Sequence, residues 1–257
     1  MRCLLLCLFA VCTLGAQAQK KKTANTQATA AIDSARWRAD HYVVDRDSAY
    51  ADPHVALRKL MGGNRRFVEG KSIRPRQDAA TIEKLNRGQQ PFATIVACSD
   101  SRVPNELIFD QGLGDLFIIR TAGQVSAAAS YGSMEFASTA LGTKLIVVLG
   151  HTKCGAVDAA LKRPENVPGH IVTLVNEIKP AASKAAKMPG DKLDNAVRQN
   201  VIEQVMNLRD LEPILYSKYK KGEILIVGAV YDINSGKVEF LPETLSNLPT
   251  HKNEMNP

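Results

Sequence analysis

The stretch Phe92–Pro104, FATIVACSDSRVP, decides how the rest of the chain is read. Its first half is a short β-branched apolar run behind Pro91, the signature of a fully buried parallel strand rather than a helix. The run ends abruptly in Cys98, Asp100 and Arg102. If the extended conformation continues, side chains at 98, 100 and 102 point the same way, because strand side chains alternate with period two. A thiol, a carboxylate and a guanidinium then share one small volume at the strand's carboxyl end.

A second apolar run, Lys144–Leu149 (KLIVVL), leads into GHTKCGA at 150–156. His151 and Cys154 are three apart, the spacing that places two side chains on one face of a helical turn. Cys98, Asp100, His151 and Cys154 together have the softness and number of a tetrahedral zinc site. Open α/β sheets place their active sites at this edge, outside the carboxyl ends of the strands. One structural disulfide is the competing reading of two cysteines, but it leaves Asp100, Arg102 and His151 unexplained. A closed zinc staple is a further alternative. Such sites usually draw cysteines from short C-x₂₋₄-C hairpins, whereas these come from strand ends far apart in sequence.

CSDSRV at 98–103, followed about fifty residues later by His-x-x-Cys, resembles the zinc-binding signature of the β-class carbonic anhydrases. The resemblance runs from roughly Asp52 to Phe240 and takes in ELIFDQGLGDLFIIRTAG (106–123) and YGSMEFA (131–137). It implies one Zn²⁺ per chain on Cys98, His151 and Cys154, with Asp100 either the fourth ligand or paired with Arg102. It implies reversible hydration of CO₂ to bicarbonate and a proton by attack of zinc-bound hydroxide. Gln89 matches the glutamine that donates to the CO₂ oxygen in plant-like members, and Phe117, Ala122 and Phe136 match apolar pocket residues. Phe136 replaces a tyrosine and Ala122 a valine. Ile95 stands where bicarbonate-inhibited members carry a tryptophan, which points to the non-inhibited subtype. A homodimer or tetramer is implied as well, with the N-terminal helix packing on a partner subunit. A non-catalytic zinc protein and a hydrolase of a linear CO₂ analogue are the rival functions; the joint presence of Asp100, Arg102 and Gln89 speaks against the first.

The outer regions read differently. Arg2, the apolar run Leu4–Leu14 and Ala16-Gln17-Ala18 form the three-part pattern of a secretory signal over residues 1–18, with the mature chain starting at Gln19. The run is too short to span a bilayer comfortably, so no stable membrane insertion is expected. Periplasmic or secreted location follows from cleavage; a lipid anchor at Cys12 and an uncleaved interfacial anchor, suggested by Lys20, Lys21 and Lys22 just past the cut, are the rival readings. Cys3, Cys7 and Cys12 would leave with the signal, so the mature chain keeps only Cys98 and Cys154. Residues 19–51 read as a flexible segment of low apolar periodicity. The catalytic domain is assigned to 52–257. The formal charge of +7 drops to +6 without Arg2, and with 5% aromatic residues and no long basic run it gives no reason to expect nucleic acid.

Within the domain, Asp52-Pro53 caps a helix whose apolar face is Leu57, Leu60, Met61, Asn64, Phe67 and Val68, closing at Gly70. Gly62-Gly63 weakens it as an isolated helix. Further helices are expected at Thr81–Leu85, Pro104–Phe109, Ala127–Leu141, Cys154–Leu161, Ile171–Ala186 and Asp191–Tyr216. Strands are expected at Asp115–Ile119, Glu223–Asp232 and Val238–Leu241, the last two joined by a turn at Asn234-Ser235-Gly236. The fold class is therefore α/β: a mainly parallel sheet of four to five strands flanked by helices, with an N-terminal helical arm.

Overall fold

The computed structural model of the chain describes residues 52–162, 164–246 and 248–249, so the signal and flexible-segment assignments lie outside the described residues. Three strands are apolar along their whole length, and every residue in them is buried: β1 (Ala93–Cys98), β3 (Leu145–His151) and β4 (Leu225–Tyr231). Strands of this kind need cover on both faces. β2 (Leu116–Thr121) is only half buried, and β5 (Val238–Phe240) is short. The order is β2-β1-β3-β4-β5, parallel except for the β4–β5 hairpin. β2 thus lies on one side of β1 and β3 on the other, which makes the gap between β1 and β3 the point where the winding reverses. Ligand sites of open α/β sheets form at that point.

Alternation divides the core in two. Val96, Cys98, Ile146, Val148, Ile226 and Val230 face one way. They pack on α5 (Gly155–Lys162), α6 (Ile171–Ala185) and α7 (Lys192–Arg209), through Val157, Ile178, Val197, Val201 and Val205. Ile95, Ala97, Val147, Leu149, Val227 and Ala229 face the other way. Ala56, Leu57 and Leu60 of α1 (Pro53–Val68) cover them, with Ile108 of α3 (Asn105–Ile108) and Phe109 just beyond it. Two short outer helices remain before the sheet's second half, α2 (Ala79–Leu85) and α4 (Ala128–Thr139). A last one, α9 (Pro242–Leu245), ends the described fold after α8 (Ile214–Lys220).

Several local expectations are corrected. The helix expected over 191–216 is two, because α7 caps at Asp210 and Pro213, which has no N–H to continue the ladder, precedes α8. β2 runs two residues further than expected, to Thr121, because it ladders with β1 as far as Cys98. Of the apolar face expected on α1, Leu57, Leu60 and Asn64 are buried, whereas Met61 is turned out to solvent. Packing holds the helix that the glycine pair weakens in isolation, and Gly63 marks the close approach: a Cβ there would fall 1.8 Å from the Phe109 carbonyl oxygen. Next to it, Asn64 donates from Nδ2 to the carbonyls of Ile108 (3.1 Å) and Gly236 (2.9 Å) and accepts from the Val238 N–H (2.9 Å). One amide thus ties α1 to α3 and to the β4–β5 turn.

Candidate metal centre

β1 stops at Cys98, and the extended backbone does not continue. The Ser99 N–H makes one more bond to the Thr121 carbonyl (3.1 Å), and then the chain turns, with the Val103 N–H on the Asp100 carbonyl (3.0 Å). Asp100 and Arg102 are nonetheless side by side, for a different reason than strand alternation. Asp100 Oδ1 accepts the backbone N–H of Arg102 at 2.9 Å, and the guanidinium closes a two-pronged pair, Nε to Oδ1 at 2.9 Å and Nη2 to Oδ2 at 2.7 Å. Arg120, at the end of β2, braces the turn by donating to the carbonyls of Cys98 (3.0 Å) and Asp100 (2.6 Å). The bond from Arg102, helped by its backbone N–H and opposed by burial, holds the Asp100 carboxyl well below the usual carboxylate range.

On the neighbouring strand, His151 is the last residue of β3, and Cys154 stands just before α5, its carbonyl accepting the Asp158 N–H at 3.0 Å. The three-residue spacing therefore spans a strand end, a tight turn and a helix start, not one helical turn. Lys153 takes a left-handed φ of 55° in that turn. The β4–β5 hairpin holds it: the Thr152 N–H bonds the Tyr231 carbonyl (2.9 Å), Thr152 Oγ1 meets Asp232 and the Ile233 N–H, and Lys153 Nζ reaches Asn234 Oδ1 (2.9 Å).

His151 is wholly buried, and its Nδ1 lies 2.9 Å from the Thr152 carbonyl. A carbonyl only accepts, so Nδ1 carries the hydrogen and Nε2 presents a lone pair. That Nε2 is buried with no hydrogen-bond partner. An orphaned buried acceptor is costly unless something fills its place. Cys98 and Cys154, both buried free thiols, complete a group whose Sγ, Nε2 or Nδ1 and Sγ atoms lie within 4.8 Å of one another. A tetrahedral zinc, with bonds near 2.0–2.3 Å, sets its ligand atoms roughly 3.5 Å apart, so the group fits the ion in number, chemistry and spacing. The bond from Cys154 pulls Cys98 down to about 4 against the effect of burial, while Cys154 is pushed up by that same partner and by burial. The Gly123 N–H adds a 3.3 Å bond to the Cys98 sulfur.

Asp100 stays outside this group, with Oδ2 3.8 Å from His151 Nε2. Ala122 opens the tight turn Ala122–Gln124 directly after β2 and so belongs to this edge. Gln89, Phe117 and Phe136 do not. Phe117 pairs with Thr94 in the amino-terminal half of β1, Phe136 packs against it with ring centroids 6.4 Å apart, and Gln89 precedes the strand altogether. Ile95 is buried on the α1 face, opposite Cys98. Sequence reasoning did not find Arg120, Gly123 or the Asp232 turn. An arginine closing the apolar strand LFIIRT was the visible signal for the first.

A family model described as carbonic anhydrase matches residues 93–238, and the fold superposes on the β-carbonic anhydrase CcaA with a TM-score of 0.57, at 28% identity, over 76% of this chain and 99% of that one. This chain belongs to the β-class carbonic anhydrases. Carbonic anhydrase 2 of Mycobacterium tuberculosis is 39% identical over 200 residues, covering 77% of this chain and 96% of the relative. A tetrameric β-carbonic anhydrase from Sordaria macrospora is similar in structure, with a TM-score of 0.58 at 25% identity, over 74% of this chain and 96% of that one. As a β-class carbonic anhydrase the chain is a zinc lyase that hydrates CO₂ reversibly to bicarbonate and a proton. Cys98, His151 and Cys154 are the residues suited to hold the zinc.

Proposed function

We propose that this carbonic anhydrase is exported, works as a homodimer or a tetramer, and builds each site from two chains. The observation that carries the reading is the placing of Asp100, held by both prongs of Arg102 and kept off the metal-ligand group. Zinc supplies the Lewis acidity that makes water nucleophilic at neutral pH. Asp100, ionised and fixed by Arg102, accepts a hydrogen from the attacking water and turns its lone pair toward CO₂. Arg102 keeps that carboxylate from swinging to the metal. The Gln89 amide donates to the CO₂ oxygen on which negative charge grows, and Phe117, Ala122 and Phe136 exclude water around the substrate.

Gln89, Phe117 and Phe136 lie toward the amino-terminal end of the sheet, so these roles require a second copy whose opposite edge meets this one. A surface suited to a second copy runs beside edge strand β2. Ile73, Leu107 and Leu113 are 65%, 55% and 47% exposed, on segments drawn together by Asp110, which accepts the Ile73 N–H, and by the Leu113 N–H bond to the Arg76 carbonyl. Apolar side chains exposed in this number on one face mark an interaction site. Export rests on the Arg2, Leu4–Leu14 and Ala16-Gln17-Ala18 pattern.

Stopped-flow CO₂ hydration by the zinc-loaded mature protein, run beside analytical ultracentrifugation, tests the reading. Catalysis by a dimer or tetramer supports it, and a fully active monomer overturns it. Amino-terminal sequencing of protein from the cell envelope or medium should begin at Gln19; an intact Met1 in the cytosol would overturn export.

A further inference from the structure

Asn200 sits midway along α7 on the side that packs against the sheet. It is 1% exposed, and its neighbours on that side are Val197, Val201 and Val205. A buried amide among valines costs free energy unless its hydrogen bonds are made. Asn200 Nδ2 donates to the carbonyl oxygen of Gly123 at 3.0 Å. Gly123 in turn points its N–H at the Cys98 sulfur, 3.3 Å away.

The turn between these two bonds has little freedom. Gly123 holds φ at 65°, a conformation that favours glycine, and a Cβ there would meet Ile178 Cδ1 at 2.7 Å and Ala156 Cβ at 3.1 Å. α6 and α5 therefore wall it on one side, and Asn200 of α7 anchors its carbonyl on another. With the carbonyl anchored and the glycine's φ and ψ (65° and 21°) hemmed in by these walls, the N–H in the preceding peptide plane keeps its direction.

We infer that Asn200 is a positioning residue for the zinc: by anchoring Gly123 it keeps an N–H on the Cys98 sulfur and so sets how strongly that thiolate donates to the metal. A hydrogen bond to a ligating sulfur withdraws electron density from it, and groups behind the ligands tune metal affinity in this way. The inference rests on Cys98 being a ligand. A separate variant, Cys98→Ser, tests that point: it should lose the metal, and if it keeps zinc at wild-type affinity the ligand assignment fails, and this inference with it.

The direct test uses Asn200→Leu, close to the amide in size but without a donor, with Asn200→Ser as the milder change where leucine is not tolerated. Zinc affinity is measured by chelator competition on the full chain, and the thiolate-to-metal charge-transfer band is read after cobalt(II) substitution. The expected result is a charge-transfer band moved to lower energy, as the sulfur becomes more electron-rich, and zinc binding weakened about 10- to 100-fold because Cys98 loses the bond that orients its sulfur. A merely structural asparagine would lower the melting temperature and move neither readout. A folded variant with wild-type zinc affinity and an unmoved cobalt band overturns the inference.

Discussion

Two inactive chains should restore each other. Take one chain carrying Gln89→Ala and another carrying Arg102→Ala, and purify the mixed dimer through two different tags. β1 rises about 3.3 Å per residue, so Pro91 and Cys98 lie roughly 23 Å apart. Gln89 is two residues before Pro91 and can return at most about 7.6 Å of that distance. A glutamine side chain closes about 5 Å more, which leaves a gap near 10 Å between Gln89 and the metal ligands of its own chain. Each site must then take Arg102 from one chain and Gln89 from the other. In the mixed dimer one site has both residues intact and the other has lost both. The expected activity is about half that of the wild-type dimer. Each homodimeric variant should sit about ten- to a thousandfold down, the range for losing one well-placed donor. Stopped-flow CO₂ hydration normalised to bound zinc gives the comparison. A mixed dimer no faster than the average of the two homodimers would refute the division of the site between chains.

Arg102→Ala should keep its zinc and lose CO₂ hydration about 10- to 100-fold; without the guanidinium the Asp100 pKa climbs back toward the ordinary carboxylate range but stays ionised at pH 7, so metal analysis with full zinc and little turnover would report lost geometry rather than protonation, and near-normal turnover would reduce the pair to a surface contact. Cys154→Ser should lose metal and thermal stability together, because metal binding at such a site is part of the folding free energy; a variant that melts with the zinc-loaded wild type would contradict this. Gly63→Ala should destabilise by roughly 2–4 kcal/mol in urea unfolding, since α1 must lift off the Phe109 carbonyl and strain the bonds of Asn64. Gly62→Ala, whose added carbon would meet nothing closer than Arg66 Nη1 at 3.8 Å, should be neutral or mildly stabilising.

The sheet was legible because buried parallel strands advertise themselves: ATIVAC, LIVVLGH and LIVGAVY are almost wholly apolar, and the residue that ends the first two runs belongs to the group suited to a metal. The ligands themselves were legible because cysteine and histidine at strand ends have few other uses in an α/β fold. What failed was local geometry set by side chain to backbone bonds. Asp100 and Arg102 meet through a turn closed by Asp100 Oδ1, not through strand alternation. His151 and Cys154 meet across a turn that the Asp232 hairpin supports, eighty residues later in the chain. Pattern counting sees spacing, and it does not see which backbone conformation supplies that spacing. The partner of Gly63 was hidden for a related reason: its value lies in what approaches it, and Phe109 is distant in sequence.

The two ends of β1 explain why the site divides as it does. A zinc site needs ligands held rigidly, and the carboxyl ends of β1 and β3, adjacent and buried, supply two of them with almost no side-chain freedom left. CO₂ is small and apolar, so its pocket needs packed rings and one donor more than it needs ligands. On this chain the matching residues are Phe117, Phe136 and Gln89, and all three belong to the amino-terminal side of the same sheet. No change of rotamer brings the two ends of a strand together. On the proposed reading a single copy has the means to hold and tune zinc, through Cys98, His151, Cys154 and the turn around Gly123, and a second copy brings the groups that receive the substrate. On the proposed two-chain reading, assembly and catalysis are one property of this fold, and the edge beside β2 is where selection for activity would act on association.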